Sequence, residues 1–325
     1  MKKGSIAGGS GVPGPEISVA VVGGANMDIG GVSRGELISG DSNPGTVRRS
    51  LGGVGRNIAH NLSLLGASVR LITALGDDAN GAEIAAACTS LGIDMSWSFR
   101  FPEESTSTYL FIADCRGEMA LAISDMEIYR KMTPQALEAR PGALQGVRAL
   151  VLDANLPPET IEWICGHADV PIFADPVSAA KADRFAPVLG KLRAVKPNRL
   201  EAERLSGISI RDERSLNAAA DRLLAEGVEQ VYITLGSDGV LAADRDRRLR
   251  MDSRPERIVN TTGCGDAFTA GLVWGALSGM DLAGCAGAGL AAASLAAESD
   301  GAINAALSPD ALALQMSTQN NGRNN

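Results

Sequence analysis

The stretch ALVLDANLPPETIEWICGHADVPIFADP, residues 149–176, sets the fold class. Ala149–Leu152 is an apolar run of strand length, Pro158–Ala168 carries apolar residues at helical spacing, and Pro171–Ala174 is apolar again. Strand, helix and strand in so short a span form a crossover unit, which lays its two strands side by side and parallel.

The alternation extends outward in both directions. Strands are expected at Ile17–Val22, Val69–Leu75, Arg193–Lys196 and Val231–Thr234. Helices are expected at Ile58–Leu65, from about Gly81 to Ser90, at Leu200–Leu205 and around Leu216–Glu226. The expected architecture is α/β, with a mostly parallel sheet covered by helices on both faces. Residues 29–50 and about 95–124 break this rhythm with short alternating segments, expected to be antiparallel ribbons that project as a small β lid. Residues 1–16 and 316–325 read as tails, leaving one unit over 17–315.

Composition narrows the function classes. The 325 residues carry 30 basic and 38 acidic side chains, a net charge of −8, which opposes a non-specific grip on nucleic acid. No apolar run reaches the ~20 residues needed to cross a bilayer. Five cysteines form no C-x-x-C pair, which fits free thiols in a reducing compartment, so a soluble cytoplasmic protein is expected. Two histidines, His60 and His167, exclude a histidine-rich metal centre.

Several motifs can carry chemistry. Asn260-Thr261-Thr262-Gly263-Cys264-Gly265-Asp266 opens a helix of small and apolar residues. Its glycines let consecutive backbone N–H groups converge at a helix N-terminus, which makes an anion cradle. Asp266 beside it is placed to accept a proton from an attacking hydroxyl. Seen alone, the same residues also read as a turn and a helix cap.

Gly52-Gly53-Val54-Gly55-Arg56-Asn57 superficially resembles a dinucleotide fingerprint. Asn57 stands where the third glycine belongs, and the charged run Val47-Arg48-Arg49-Ser50 is not expected to be a strand ending before Gly52. A nicotinamide cofactor is therefore not expected. Asn26 and Asp28 follow the first strand, an acid and an amide that suit paired sugar hydroxyls or an Asx turn. Asp175-Pro176, Lys196-Pro197-Asn198-Arg199-Leu200-Glu201 and Thr234-Leu235-Gly236-Ser237-Asp238-Gly239 each place polar or glycine residues at a strand's carboxyl end. A Walker A sequence is absent.

In order and spacing, these segments resemble the PfkB (ribokinase-like) carbohydrate kinase family over about residues 17–310. The resemblance implies a Rossmann-like three-layer αβα core with a β lid, and transfer of the ATP γ-phosphoryl to a sugar 5′-hydroxyl. It implies that Asp266 is the base and that the backbone of Gly263, Cys264 and Gly265 holds the developing phosphoryl charge. Lys181 would touch the transferring phosphate. Asn26, Asp28, Gly52, Gly53 and Asn57 would hold the acceptor sugar, with Asp41, Ser42, Asn43, Thr106, Thr108 and Asp125 as lid-side partners of the rest of the acceptor. Asn198 and Glu201 would organise Mg²⁺ through water, and Asn198, Thr234, Gly236, Ser237 and Gly239 would border ATP. Where most members have an acid that helps bind a monovalent cation, this chain has Asn260, which leaves potassium activation open. Relatives often pair their lids, so a homodimer is expected. The alternatives are a ribokinase-type or uridine-type kinase of the same family and, below them, a nucleoside-binding sensor without catalysis, against which Asp266 speaks.

Overall fold

In the computed structural model, which describes residues 17–253, 255 and 257–321, the chain enters on β1 (Ser18–Val22) and leaves it for a second sheet. The expected N-terminal tail, residues 1–16, lies outside the described residues. β2 (Asn26–Ser33) and β3 (Gly45–Gly52) form a hairpin, and α1 (Val54–Leu64) returns the chain to β4 (Ser68–Ile72). Next come β5 (Ala74–Gly76), α2 (Ala79–Ser90), β6 (Phe99–Phe101), the hairpin β7 (Thr108–Ala113) and β8 (Met119–Asp125), and α3 (Pro134–Glu138). The crossover unit appears as expected: β9 (Ala149–Asp153), α4 (Pro158–His167), β10 (Ile172–Asp175). α5 (Ala179–Ala182), β11 (Ala194–Val195), α6 (Arg199–Ser206), α7 (Glu213–Ala225) and β12 (Gln230–Thr234) continue the winding. β13 (Val240–Ala243), β14 (Arg248–Met251), α8 (Cys264–Leu277), α9 (Leu282–Ala297) and α10 (Pro309–Asn321) complete it.

The main sheet runs β14-β13-β12-β11-β10-β9-β1-β4. It is parallel from β12 to β4 and antiparallel at β13 and β14. Strand alternation divides its core in two. Leu150 and Leu152 of β9 pack with Ile161 of α4 and Leu216 of α7, whereas Ala149 and Val151 pack with Ile58 of α1 and Phe268 of α8. Helices thus cover both faces, giving the three-layer αβα core. Each fully buried Leu, Ile or Phe contributes about 1.5–3 kcal/mol, so the central strands anchor what stands at their carboxyl ends.

The lid is a four-stranded sheet, β3-β2-β7-β8. The two expected antiparallel ribbons are its hairpins, but their seam, β2 against β7, is parallel. One face carries Asn26, Asp28, Ser50, Tyr109, Phe111 and Ser124 in register. The other carries Ile29, Val47, Leu110, Ile112, Leu121 and Ile123, of which Val47, Leu121 and Ile123 are more than half exposed.

Two expectations need correction. The charged run before Gly52 is a strand, β3, whose first six residues are exposed. It lies at the lid's edge, where charged side chains stay in water and discourage edge-to-edge pairing. The absence of a strand is therefore no argument against a dinucleotide site; that rests on Asn57 and on β3 belonging to the lid. Nor does a tail begin at 316, because α10 continues to Asn321 and Gln315 is buried on it.

Candidate active site

The carboxyl ends of β1, β9, β10, β11 and β12 bring Gly24, Asp153, Asp175, Lys196 and Thr234 to one edge of the sheet. The N-terminus of α8 points into the same region. Its approach is shaped locally: the Asn260 amide accepts from the Thr262 N–H at 3.0 Å and donates to the Asp300 carbonyl at 3.0 Å. Gly263 then turns the chain at a φ of +82°, where a Cβ would stand 2.1 Å from the Ala302 carbonyl oxygen. Only glycine tolerates both conditions.

Asp266 lies in the first turn of α8, half-buried, and accepts a 2.7 Å hydrogen bond from Asn57 Nδ2. Burial pushes its carboxyl up to about 7, with the nearby Asp175 acting in the same direction and Asn57 and Lys196 opposing. A carboxylate that loses its proton near neutrality can take one from a hydroxyl.

Beneath the cradle is a buried ion pair. Lys196 Nζ is 2.9 Å from Asp175 Oδ2 and 3.3 Å from the Gly265 carbonyl. Asp175 also accepts from the Thr269 hydroxyl at 2.9 Å and the Val177 N–H at 3.0 Å. Burial alone would lower the Lys196 ammonium, but Asp175 and Glu201 more than offset it, and the net shift is upward. Lys196 thus puts a fixed positive charge under the cradle. Glu201 is pushed up to about 7, by burial first and then by Asp175. It is bonded to Asn198 three ways: Asn198 N to Oε2 at 2.8 Å, Asn198 Nδ2 to Oε1 at 2.7 Å, and Glu201 N to Asn198 Oδ1 at 2.9 Å. This capping box starts α6 and satisfies two of its free N–H groups. Thr234 lies alongside, its N–H on the Pro197 carbonyl at 2.9 Å, and the Gly236–Asp238 turn is closed by Gly239.

On the other side of Asp266 stand the sugar-side candidates. Asn26 Nδ2 donates to Asp28, whose carboxyl is raised by burial, partly offset by Asn26 and the Arg56 charge. A Cβ on Gly52 would stand 2.2 Å from Asp28 Oδ2, so the carboxylate rests on bare backbone. Asn26, Asp28, Gly52, Gly53 and Asn57 are thus brought together at the junction of β2, β3 and α1. Lys181 Nζ donates to Asn155 Oδ1 at 2.6 Å and lines a cavity of about 490 Å³ with Ser124, Tyr129, Asn155 and Arg184.

The lid-side candidates do not join this group. Thr106 is buried with its hydroxyl fully used, accepting from Gly76 N–H at 2.9 Å and donating to Asp78 at 2.7 Å, so it braces the lid's base. The register puts Thr108 and Asp125 opposite Met27, on the face away from Asp28. Asp41, Ser42 and Asn43 lie in the exposed β2–β3 loop, where Asn43 bonds both the N–H and the carbonyl of Ile38. Ser237 is exposed in its turn.

Residues the sequence reading left without a role include Asp153, fully buried, which accepts from Gly24 N–H at 2.7 Å, Gly55 N–H at 2.8 Å and Asn155 N–H at 2.8 Å. It ties the loop after β1 to the start of α1. Its signal was available: like Asp175, it is an acid ending an apolar strand. Tyr109 and Ser124 follow from Asp28 by strand alternation once the register is known.

A family model described as pfkB family carbohydrate kinase matches residues 16–309. The chain belongs to that family. The kinase is 37% identical over 267 residues to the pseudouridine kinase of Escherichia coli strain K12, covering 82% of this chain and 85% of that protein. It is 35% identical over 317 residues to an uncharacterized sugar kinase of the same organism, YeiI, covering 97% and 88%. Among solved structures, a putative sugar kinase from Clostridium perfringens superposes with a TM-score of 0.82 at 30% identity, covering 93% of this chain and 96% of that one. The expected ribokinase-like fold and family membership are both borne out, and an ATP-dependent phosphotransferase follows from the family.

Proposed function

We propose that the kinase transfers the γ-phosphoryl of ATP to the 5′-hydroxyl of pseudouridine, giving pseudouridine 5′-phosphate and ADP. The observation that carries phosphoryl transfer is Asp266 at the mouth of the α8 cradle, with Asn57 at 2.7 Å and Lys196 beneath. Pseudouridine as acceptor is supported by the 37% identical relative. Asp41 to Gly45, Gly52 to Asn61, Ile123 to Met126, Asp175 to Ser178 with Lys181, and Lys196 to Glu203 also resemble pseudouridine kinase. A broader sugar or nucleoside kinase is the second reading, favoured by the sugar kinase that is 35% identical over more of the chain.

In this reading Asp266 takes the hydroxyl proton, and the N–H groups of Gly263, Cys264 and Gly265 hold the phosphoryl charge. Lys181 reaches the phosphate; Asn26, Asp28, Gly52, Gly53 and Asn57 hold the ribose; Asn198, Thr234, Gly236, Ser237 and Gly239 border ATP. Magnesium, when bound, neutralises phosphate charge. Asn198 and Glu201 offer the hard oxygen donors it prefers, already bonded to one another, which suits contact through water. The Asn260 amide brings no negative charge, and its oxygen already accepts from the Thr262 N–H, so it is a weaker monovalent-cation ligand than the acid it replaces. Five free cysteines support placement in the cytoplasm. Among the described residues no helix is long and apolar enough to cross a membrane.

Pseudouridine keeps a ring N–H that uridine lacks, and a site that pairs this N–H leaves an acceptor unsatisfied when uridine binds. At saturating ATP, kcat/KM is expected to be highest for pseudouridine, lower for uridine and lowest for ribose, which cannot fill a base pocket. Equal values for the two nucleosides would leave the broader reading in place.

We further propose a homodimer through the apolar outer face of the lid, where Val47, Leu121 and Ile123 are exposed. Sedimentation at micromolar concentration is expected to give twice the 33.5 kDa chain mass. A species of 33.5 kDa would overturn the dimer.

A further inference from the structure

We propose that Arg56 is a positioning residue of the phosphoryl transfer, whose guanidinium dictates which way the Asn57 amide faces and so keeps an N–H donor on Asp266. The inference rests on Asp266 being the base.

Arg56 is 4% exposed, unusual for a side chain that is almost never buried without partners. Its Nε donates to the Gly52 carbonyl at 3.1 Å, and Nη2 donates to the Leu51 carbonyl at 2.8 Å and to Asn57 Oδ1. Nη1 is 3.5 Å from Nδ1 of His60, one turn along α1. His60 is held neutral, its imidazole pushed down to about 4 by burial and the Arg56 charge, so its nitrogen can accept.

A guanidinium has five N–H donors and no acceptor. The amide oxygen of Asn57 must therefore face Arg56, because the reversed amide would set N–H₂ against N–H. With the oxygen fixed on that side, Nδ2 has one direction left, and it points to Asp266 Oδ2 at 2.7 Å. A donor on the carboxylate favours the ionised form that can take a proton, whereas a reversed amide would present oxygen and favour the protonated form. Asp175 and Asp153 oppose ionisation of Asp266 and Lys196 supports it; Arg56 itself faces Asp28, Asp266 and the buried thiol of Cys88. Arg56 thus opposes the acidic neighbours twice, by its charge and through the Asn57 donor.

The test compares Arg56→Lys and Arg56→Gln with wild type, measured side by side so that a folding failure in one leaves the other. Lys keeps the charge but cannot fork across two carbonyls and an amide; Gln loses the charge and can itself reverse. In both, kcat is expected to fall about tenfold, with KM for acceptor and ATP much less affected. The acid limb of the kcat profile is expected to move up by about one pH unit. In an Asn57→Ser background, Arg56→Lys is expected to add nothing, because the residue through which it acts is gone. An unmoved acid limb, or effects that multiply, would overturn the inference. Asp266→Asn is run alongside. If it is inactive while the Arg56 variants keep the wild-type profile, this inference alone fails; if it stays active, the assignment of Asp266 as base fails and this inference with it.

Discussion

Asp266→Asn is expected to lose ~10²–10⁴-fold in kcat, the usual range for removing a positioned general base. Asn preserves the size of the side chain and can still bond Asn57, so melting temperature and ATP binding by calorimetry should stay close to wild type. The prediction depends on the carboxyl being held up to about 7 by burial and Asp175. It is then ionised over the upper half of the physiological range, and activity rises with pH through that value. A variant keeping more than a tenth of wild-type kcat would remove Asp266 from the chemistry.

Gly263→Val is expected to lower kcat by at least ~100-fold, comparable to deleting a donor that stabilises developing charge. The reason is steric on two counts, a φ of +82° and an added Cβ 2.1 Å from the Ala302 carbonyl oxygen. Either the cradle or the Gly301–Ala302 segment must move, so melting temperature falls as well. Gly265→Ala separates the two effects. Its Cβ meets Lys196 Nζ at 3.0 Å and no backbone, so only the buried Lys196–Asp175 pair has to give, and the melting temperature should fall less than in Gly263→Val while the cradle is perturbed. Full activity in Gly263→Val would mean that the phosphate binds elsewhere.

The core was legible because its strands are buried on both faces and read as unbroken apolar runs, as Ala149–Leu152 and Val19–Val22 do. The lid was legible only in outline. Its edge strands face water, so β3 could carry Val47-Arg48-Arg49-Ser50 and still pair, a pattern that reads as loop. At the site, a glycine-bearing helix start marked Gly263 and Asp266, and the polar segment after a strand's carboxyl end marked Asn198. What stayed hidden were the links between distant segments. Nothing in the spacing shows that Asp153 spans to Gly24 and Gly55, or that Arg56 turns the Asn57 amide. The lid-side residues Thr108 and Asp125 were misplaced for a simpler reason. A strand alternates, and without the register the face that Asp28 occupies cannot be known.

β3 ends at Gly52 and α1 begins at Val54, leaving Gly53 as the only joint between lid and helix. That joint has no slack. A Cβ on Gly53 would stand 2.5 Å from both Ala25 Cα and the Gly24 carbonyl. A tilt of the lid sheet would therefore be passed to the first turn of α1, where Asn57 reaches Asp266, rather than taken up in a loop. The sheet that carries Asp28 and the helix whose Asn57 bonds Asp266 are joined like the two arms of one lever. In the proposed reading, an acceptor seated against Asp28 would bear on the turn that holds Asn57 to Asp266, and one that leaves the sheet unloaded would not.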